Sequence, residues 1–228
     1  MDASATLSKT DQRSQLLDVA REALEESGPE VLRARTLTAE VGASTQALYT
    51  LFGGMPGLFE AIVADGFASF ARFVAEVPES DDPVADFFAK GWAYSEWALT
   101  HTQLYRLMFG LPGGGLRDLA GLEMTVTDAA SNSPQAQRAV DVLVRSMDRV
   151  AKSGRIDPVD PVIAAGQFLS ATHGYLLLEI AGVFGPEGDG LRMMRPLAVN
   201  LMVGLGDDRG AAESSLGRVE AAKTSQPS

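Results

Sequence analysis

Apolar side chains recur every three to four positions along most of the chain, the period of helices packed on one face, and no stretch shows the two-residue alternation of a strand. Over residues 11–27 the stripe is Leu16, Leu17, Ala20, Ala23 and Leu24, and Gly28-Pro29 ends it. Leu37 and Val41 then share a face, Gly42 stands where that short helix must turn, and Ser44 offers a hydroxyl as N-cap to the next. In this third helix Leu48 and Leu51/Phe52 point inward by spacing. Residues 33–58 thus read as a short helix, a tight turn, a second short helix and the start of a longer one. Pro56 suits the first turn of that longer helix, which carries Leu58, Phe59, Ile62, Val63, Phe67, Phe70, Phe73 and Val74 over about five turns.

Pro78-Glu79-Ser80-Asp81-Asp82-Pro83 interrupts the pattern and is the best boundary in the chain. An aromatic helix is expected over 84–99 and a short one over 101–109, followed by the Pro112-Gly113-Gly114-Gly115 loop. Residues 116–131 have no clean period. Ser133-Pro134 reads as N-cap and N1 of a helix reaching about 152, and the Asp157-to-Pro161 turn leads into a long, almost uncharged helix over 161–184. Leu197, Leu201 and Leu205 mark another over 191–205, and the small, polar composition of 207–228 predicts a disordered tail. The expectation is an all-α chain of about nine helices. It comprises a three-helix domain over 1–57, a second helical domain over 58–206, and a connecting helix at 56–77.

A helix apolar nearly all round must be covered on every side. The simplest cover for the last two long helices is the same pair in a second copy, a four-helix interface about a two-fold axis. Phe168, Thr172, Leu176 and Glu179 on one helix, with Leu197 and Leu201 on the other, are the expected contacts of such a homodimer.

The polar face of the third helix carries Thr45, Gln46, Tyr49 and Thr50. Short polar side chains and a tyrosine on the first turns of a short helix suit base edges and phosphates in a major groove. The unit is a helix-turn-helix whose second helix is the candidate reader. Ser44, Thr36 and the cations Lys9, Arg13, Arg33 and Arg35 complete the candidate DNA-binding set. Charge opposes this reading globally: the 228-residue chain carries −11, and residues 1–55 hold five basic against eight acidic side chains. Any grip on a duplex must come from a local cluster.

Composition closes other routes. With no cysteine, disulfides, thiolate-zinc fingers and thiol nucleophiles are excluded. His173 stands in an apolar run without a carboxylate one turn away, so a metal site is not expected there, nor any cofactor. No Ser/His/Asp constellation or phosphate loop speaks for an enzyme. The first residues lack the apolar core of an export signal, and the longest uncharged run is too interrupted to span a bilayer. These features agree with a cytoplasmic protein without a membrane partner.

The segment LTAEVGASTQALYTLFGGMPGLFEAIV, after one helix and before several of weaker pattern, resembles the TetR family of bacterial transcriptional regulators, with Ala39, Gly42, Ser44, Leu48, Tyr49, Phe52 and Leu58 on matching positions. LYRLMFG (104–110) and Ala171-Thr172-His173-Gly174 resemble a subgroup with a Trp/His-Gly signature in its ligand domain. The resemblance implies a dimeric, ligand-responsive repressor on a pseudo-palindromic operator. It also implies a pocket for a small apolar or aromatic effector, with Phe88, Trp92, Trp97, Tyr105, Met108, Phe109, Met147, His173 and Tyr175 as candidate lining. Where the family usually has a Gly-Thr pair, a histidine and a lysine, this chain has Gln46-Ala47, Leu51 and Met55. Each lost phosphate contact removes roughly one unit of salt slope, so a light, weakly salt-dependent grip is expected. The alternative reading is an interaction module of the same fold that no longer binds an operator.

Overall fold

Leu16, Ala20 and Leu24, spaced by four along the first helix, are fully buried, as their period requires. The computed structural model describes residues 9–109, 133–185 and 190–224. Among them lie ten α-helices, one short 3-10 turn (Pro29–Val31) and no strand. The first half holds α1 (Lys9–Ser27), α2 (Ala34–Glu40), α3 (Thr45–Phe52), α4 (Met55–Ala75), α5 (Pro83–Thr100) and α6 (Thr102–Met108). The second holds α7 (Pro134–Lys152), α8 (Pro161–Ile180), α9 (Gly190–Gly204) and α10 (Arg209–Thr224).

The chain divides into two units, with the cut inside α4 between Ala68 and Ser69. This differs from the expected boundary at residue 57 in both place and membership, since residues 101–109 join the N-terminal unit. Leu104, Tyr105, Leu107 and Met108 of α6 are buried, and a pair of hydrogen bonds far apart in sequence adds to that packing. The Glu25 carboxylate of α1 accepts the backbone N–H groups of Gln103 at 3.1 Å and Leu104 at 3.2 Å, capping an α6 whose own N-cap residue, His101, provides no side-chain cap. Helix N-termini attract such a charge through their unpaired N–H groups and dipole. Replacing Glu25 by alanine should cost about 1–2 kcal/mol of stability in this unit. Urea unfolding followed by far-UV circular dichroism checks it, and an unchanged midpoint would count against the cap.

The N-terminal core joins the α1 stripe to Leu37, Leu48, Leu58, Ile62 and Val63, all buried. Burial of each such side chain is worth about 1.5–3 kcal/mol.

The C-terminal unit contains α5, α8, α9, α10, the end of α4 and most of α7. Phe70 meets Tyr94 and Trp97 edge-on at 4.8 and 5.4 Å, and Phe87 meets Phe168 at 4.9 Å. Buried Asp86 holds the α4–α5 connection to α7. It accepts from Ser80 Oγ at 2.7 Å, Ser80 N–H at 2.8 Å and Arg149 at 2.9 Å. Burial pushes its pKa up, but these hydrogen bonds and the Arg149 charge more than offset that and hold the carboxyl below its usual range.

Residues 207–228 are not a disordered tail over their described length: 209–224 form α10, with Ala212, Ser215 and Val219 buried on one face. Asp207, taken from composition as the start of a solvated segment, receives both arms of the Arg155 fork at 2.8 Å. Hydrogen bonding to Asp207 raises the pKa of this guanidinium further. Asp208 accepts the Ala211 N–H at 2.9 Å at the start of α10, and Ser215 Oγ donates to Asp82 at 2.8 Å. The Asp208 cap and the 212–215–219 spacing were visible in the sequence; a mean composition averages them away. The loop at 112–115, the aperiodic stretch 116–131 and the last four residues lie outside the described residues.

Candidate functional site

Gly42 has φ of 63°, the left-handed turn expected between α2 and α3. Ser44 caps α3, its Oγ accepting the Ala47 N–H at 3.1 Å. Leu48 is fully buried, Leu51 and Phe52 are half-buried, and the face formed by Thr45, Gln46, Tyr49 and Thr50 is exposed. Thr50 donates its hydroxyl proton to the Gln46 carbonyl at 2.9 Å, which leaves its oxygen free only to accept. Tyr49 is 60% exposed, and its ring lies over the bare backbone of Gly54.

All ten residues named from sequence as DNA contacts are exposed in the N-terminal unit. The Arg13 guanidinium of α1 stacks over the Phe52 ring of α3, 4.9 Å from its centroid, so a cation from the first helix does stand at the end of the third. Arg33 precedes α2, and Arg35 and Thr36 occupy its first turn.

The C-terminal unit holds a cavity of about 70 Å³. Phe87, Phe88 and Trp92 of α5 meet Phe168 and Thr172 of α8, Arg195 of α9 and Leu216 of α10 there. Of the expected lining, only Phe88 and Trp92 take part. Trp97 and Met147 are core residues of the same unit that do not reach it. Tyr105, Met108 and Phe109 instead pack in the N-terminal unit, where Phe109 meets Phe67 edge-on at 5.8 Å and Met108 covers Gly66. Tyr175 stacks on Phe184 at 5.9 Å, and burial together with the Glu179 charge raises its pKa. His173 is half-buried away from the cavity, and burial lowers its pKa, favouring the neutral ring at pH 7.

The expected dimer contacts also sort differently. Phe168, Thr172 and Leu176 are buried inside the protomer, with Phe168 and Thr172 on the cavity wall. Glu179 and Leu201 are half-buried, and Leu197 is exposed. The uncharged outer stripe of α8 is Ile163, Gln167, Ser170 and Leu178, and that of α9 is Met193, Leu197 and Asn200. On a helix apolar nearly all round, periodicity cannot tell which side the protomer itself covers. No group of three or more metal-ligating side chains occurs among the described residues, and no single helix there is long and apolar enough to cross a membrane.

Two family models match the chain. Residues 16–62 match the bacterial regulatory proteins of the tetR family, and residues 87–199 match the tetracyclin repressor-like C-terminal domain. The chain belongs to the TetR family. TetR members are transcriptional regulators with a DNA-binding helix-turn-helix, not enzymes. Among solved structures, a Rhodococcus protein of unknown function is 25% identical, with TM-score 0.70 over 90% of this chain and all of that one. A TetR-family transcriptional regulator from Pectobacterium atrosepticum is 20% identical, with TM-score 0.59 over 94% of this chain and 93% of the other. RolR, solved with resorcinol, is 17% identical, with TM-score 0.58 over 92% and 95%. No curated protein matches. The TetR matches stop at residue 199, so α10, which supplies a wall of the cavity, lies beyond them, and they do not single out the Trp/His-Gly subgroup.

Proposed function

We propose that the chain is a homodimeric repressor that binds a pseudo-palindromic operator through two copies of α3 and is released by a small apolar effector seated in the cavity of the C-terminal unit. The observation that carries this is the exposed Thr45-Gln46-Tyr49 face of α3, with Arg13 stacked at its end and Arg33 and Arg35 at the neighbouring helix start. Gln46 can take adenine through its amide, and the half-sites lie about one helical turn apart. The outer stripes of α8 and α9 form the interface between copies: they are uncharged in a chain of net charge −11, and their exposed Ile163, Leu178, Met193 and Leu197 need cover. RolR, a relative in fold, was solved with resorcinol, a single aromatic ring bearing two hydroxyls, which supports a small ring-bearing ligand for this cavity. Effector binding favours a dimer whose reader spacing no longer fits the operator, a change carried by α4.

Fluorescence anisotropy with the DNA upstream of the chain's own gene tests the reading. Gln46→Ala and Tyr49→Ala should each weaken specific binding about tenfold, equal to ~1.4 kcal/mol, with folding unchanged. The slope of log affinity against log salt should be shallow, roughly two to four per reader, given Ala47, Leu51 and Met55 at positions where phosphate contacts are usual. The acidic balance favours one other reading, a regulator fold that has exchanged DNA for a protein partner. Absence of any specific complex at low salt would support that reading over operator binding.

A further inference from the structure

The cavity walls are mostly apolar; Tyr94 and Ser95 bring hydroxyl groups to them, Ser95 already bonded to the Gly91 carbonyl, and two further polar groups stand out. Arg195 is the one charged residue among the described residues lining the space. Its Nε forms an ion pair with Glu220 Oε1 of α10 at 2.8 Å, and the guanidinium lies over the Trp92 ring, 5.6 Å from its centroid. Its two terminal nitrogens form no ion pair among the described residues, so the fork that matches a carboxylate stays unused. Thr172 is the second. It is 7% exposed on the cavity wall, and its hydroxyl makes no hydrogen bond among the described residues. That hydroxyl is on the cavity wall, where a ligand atom can reach it.

We infer that the ligand of this cavity is a small organic monoacid, an apolar ring or short chain bearing one carboxylate. This rests on the reading of the cavity as the effector site and adds one acidic group to the otherwise apolar effector proposed for it. The apolar body lies among Phe87, Phe88 and Phe168, the carboxylate takes the free arms of Arg195, and Thr172 donates a further hydrogen bond. A wholly apolar ligand would leave both polar groups unanswered, and a sugar or a dianion would meet aromatic walls with no second cation. Glu220 and the Trp92 ring hold the guanidinium at the cavity before the ligand arrives, which limits the ordering cost of binding. Lys223 reinforces the arrangement from the same helix: it pairs with Glu96 at 2.7 Å and stands 5.4 Å over Trp92.

Isothermal titration of the full chain at pH 7 with benzoate, its neutral counterpart benzamide and toluene tests the assignment. Benzoate should bind about tenfold more tightly than benzamide. Arg195→Gln should erase that preference, and Arg195→Lys, which keeps the charge without the fork, should retain part of it. Thr172→Val should weaken benzoate severalfold without lowering the melting temperature, because an unpaired hydroxyl is replaced by a methyl of similar shape. Equal affinity for benzoate and benzamide, or a preference that survives Arg195→Gln, overturns the acid assignment and leaves the effector cavity standing. Failure of all three compounds to bind overturns both.

Discussion

Replacing Gly57 with alanine is expected to destabilise the helix-turn-helix while leaving the stability of the C-terminal unit unchanged. Gly57 lies in the first turn of α4, and a Cβ there would overlap the carbonyl oxygen of Phe52, the last residue of α3. The obstacle is backbone, which cannot rotate aside as a side chain would. Either the last turn of α3 or the first turn of α4 must move, and both are anchored by buried leucines, Leu48 and Leu58. A cost of about 2–4 kcal/mol is expected, a large part of what a small unit has to lose. The two tryptophans, Trp92 and Trp97, both belong to the C-terminal unit and report on it alone. The far-UV transition of Gly57→Ala should therefore shift to lower urea while the tryptophan transition stays in place. Coincident wild-type transitions would show that α3 and α4 do not meet this closely.

Arg155→Ala should do the reverse. The Asp207 side chain is 1% exposed, and removing Arg155 strands its carboxylate without the bidentate partner. Breaking a fully buried pair costs 3–5 kcal/mol; since Arg155 is itself about a quarter exposed, roughly 2–3 kcal/mol is expected here. The loss falls on the docking of α10, which carries Ser215, Glu220 and Lys223 to their partners. With Lys223 and Glu220 released, Trp92 gains solvent. Tryptophan emission should shift to the red below the main unfolding transition, and hydrogen exchange should accelerate over 209–224. Arg218→Ala is the control, because Arg218 is 62% exposed in its pair with Asp82 and should cost under about 1 kcal/mol. Equal effects of the two substitutions would refute the anchor.

The sequence carried the helix-turn-helix almost completely. Helices this short need a cap, a turn residue and a minimal apolar pair to exist at all, so Ser44, Gly42 and Leu48 are local necessities and can be read locally. Their outcome, an exposed polar face at Thr45, Gln46 and Tyr49, follows from the same spacing. The cavity was less legible. Phe88, Trp92, Trp97, Tyr105, Met108 and Met147 look alike in a one-dimensional pattern, and all are large, apolar and helical. Which of them faces space and which faces another side chain depends on helix crossings that no local rule encodes. The same pattern predicts Thr172 and Phe168 as dimer contacts, whereas both line the cavity.

By itself, then, the sequence determined the all-helical class, the position and polarity of the reader helix and the turn chemistry that builds it, because those depend on interactions within a few residues. Tertiary structure alone decided the rest. Glu25 draws α6 into the N-terminal unit across nearly eighty positions, and Arg155 turns an apparent tail into an ordered helix across fifty-two. That helix places Leu216 in the cavity wall and Glu220 beside Arg195. A charged residue in sequence carries no mark of whether it will meet water or a buried partner of opposite sign. Only the fold brings the two together.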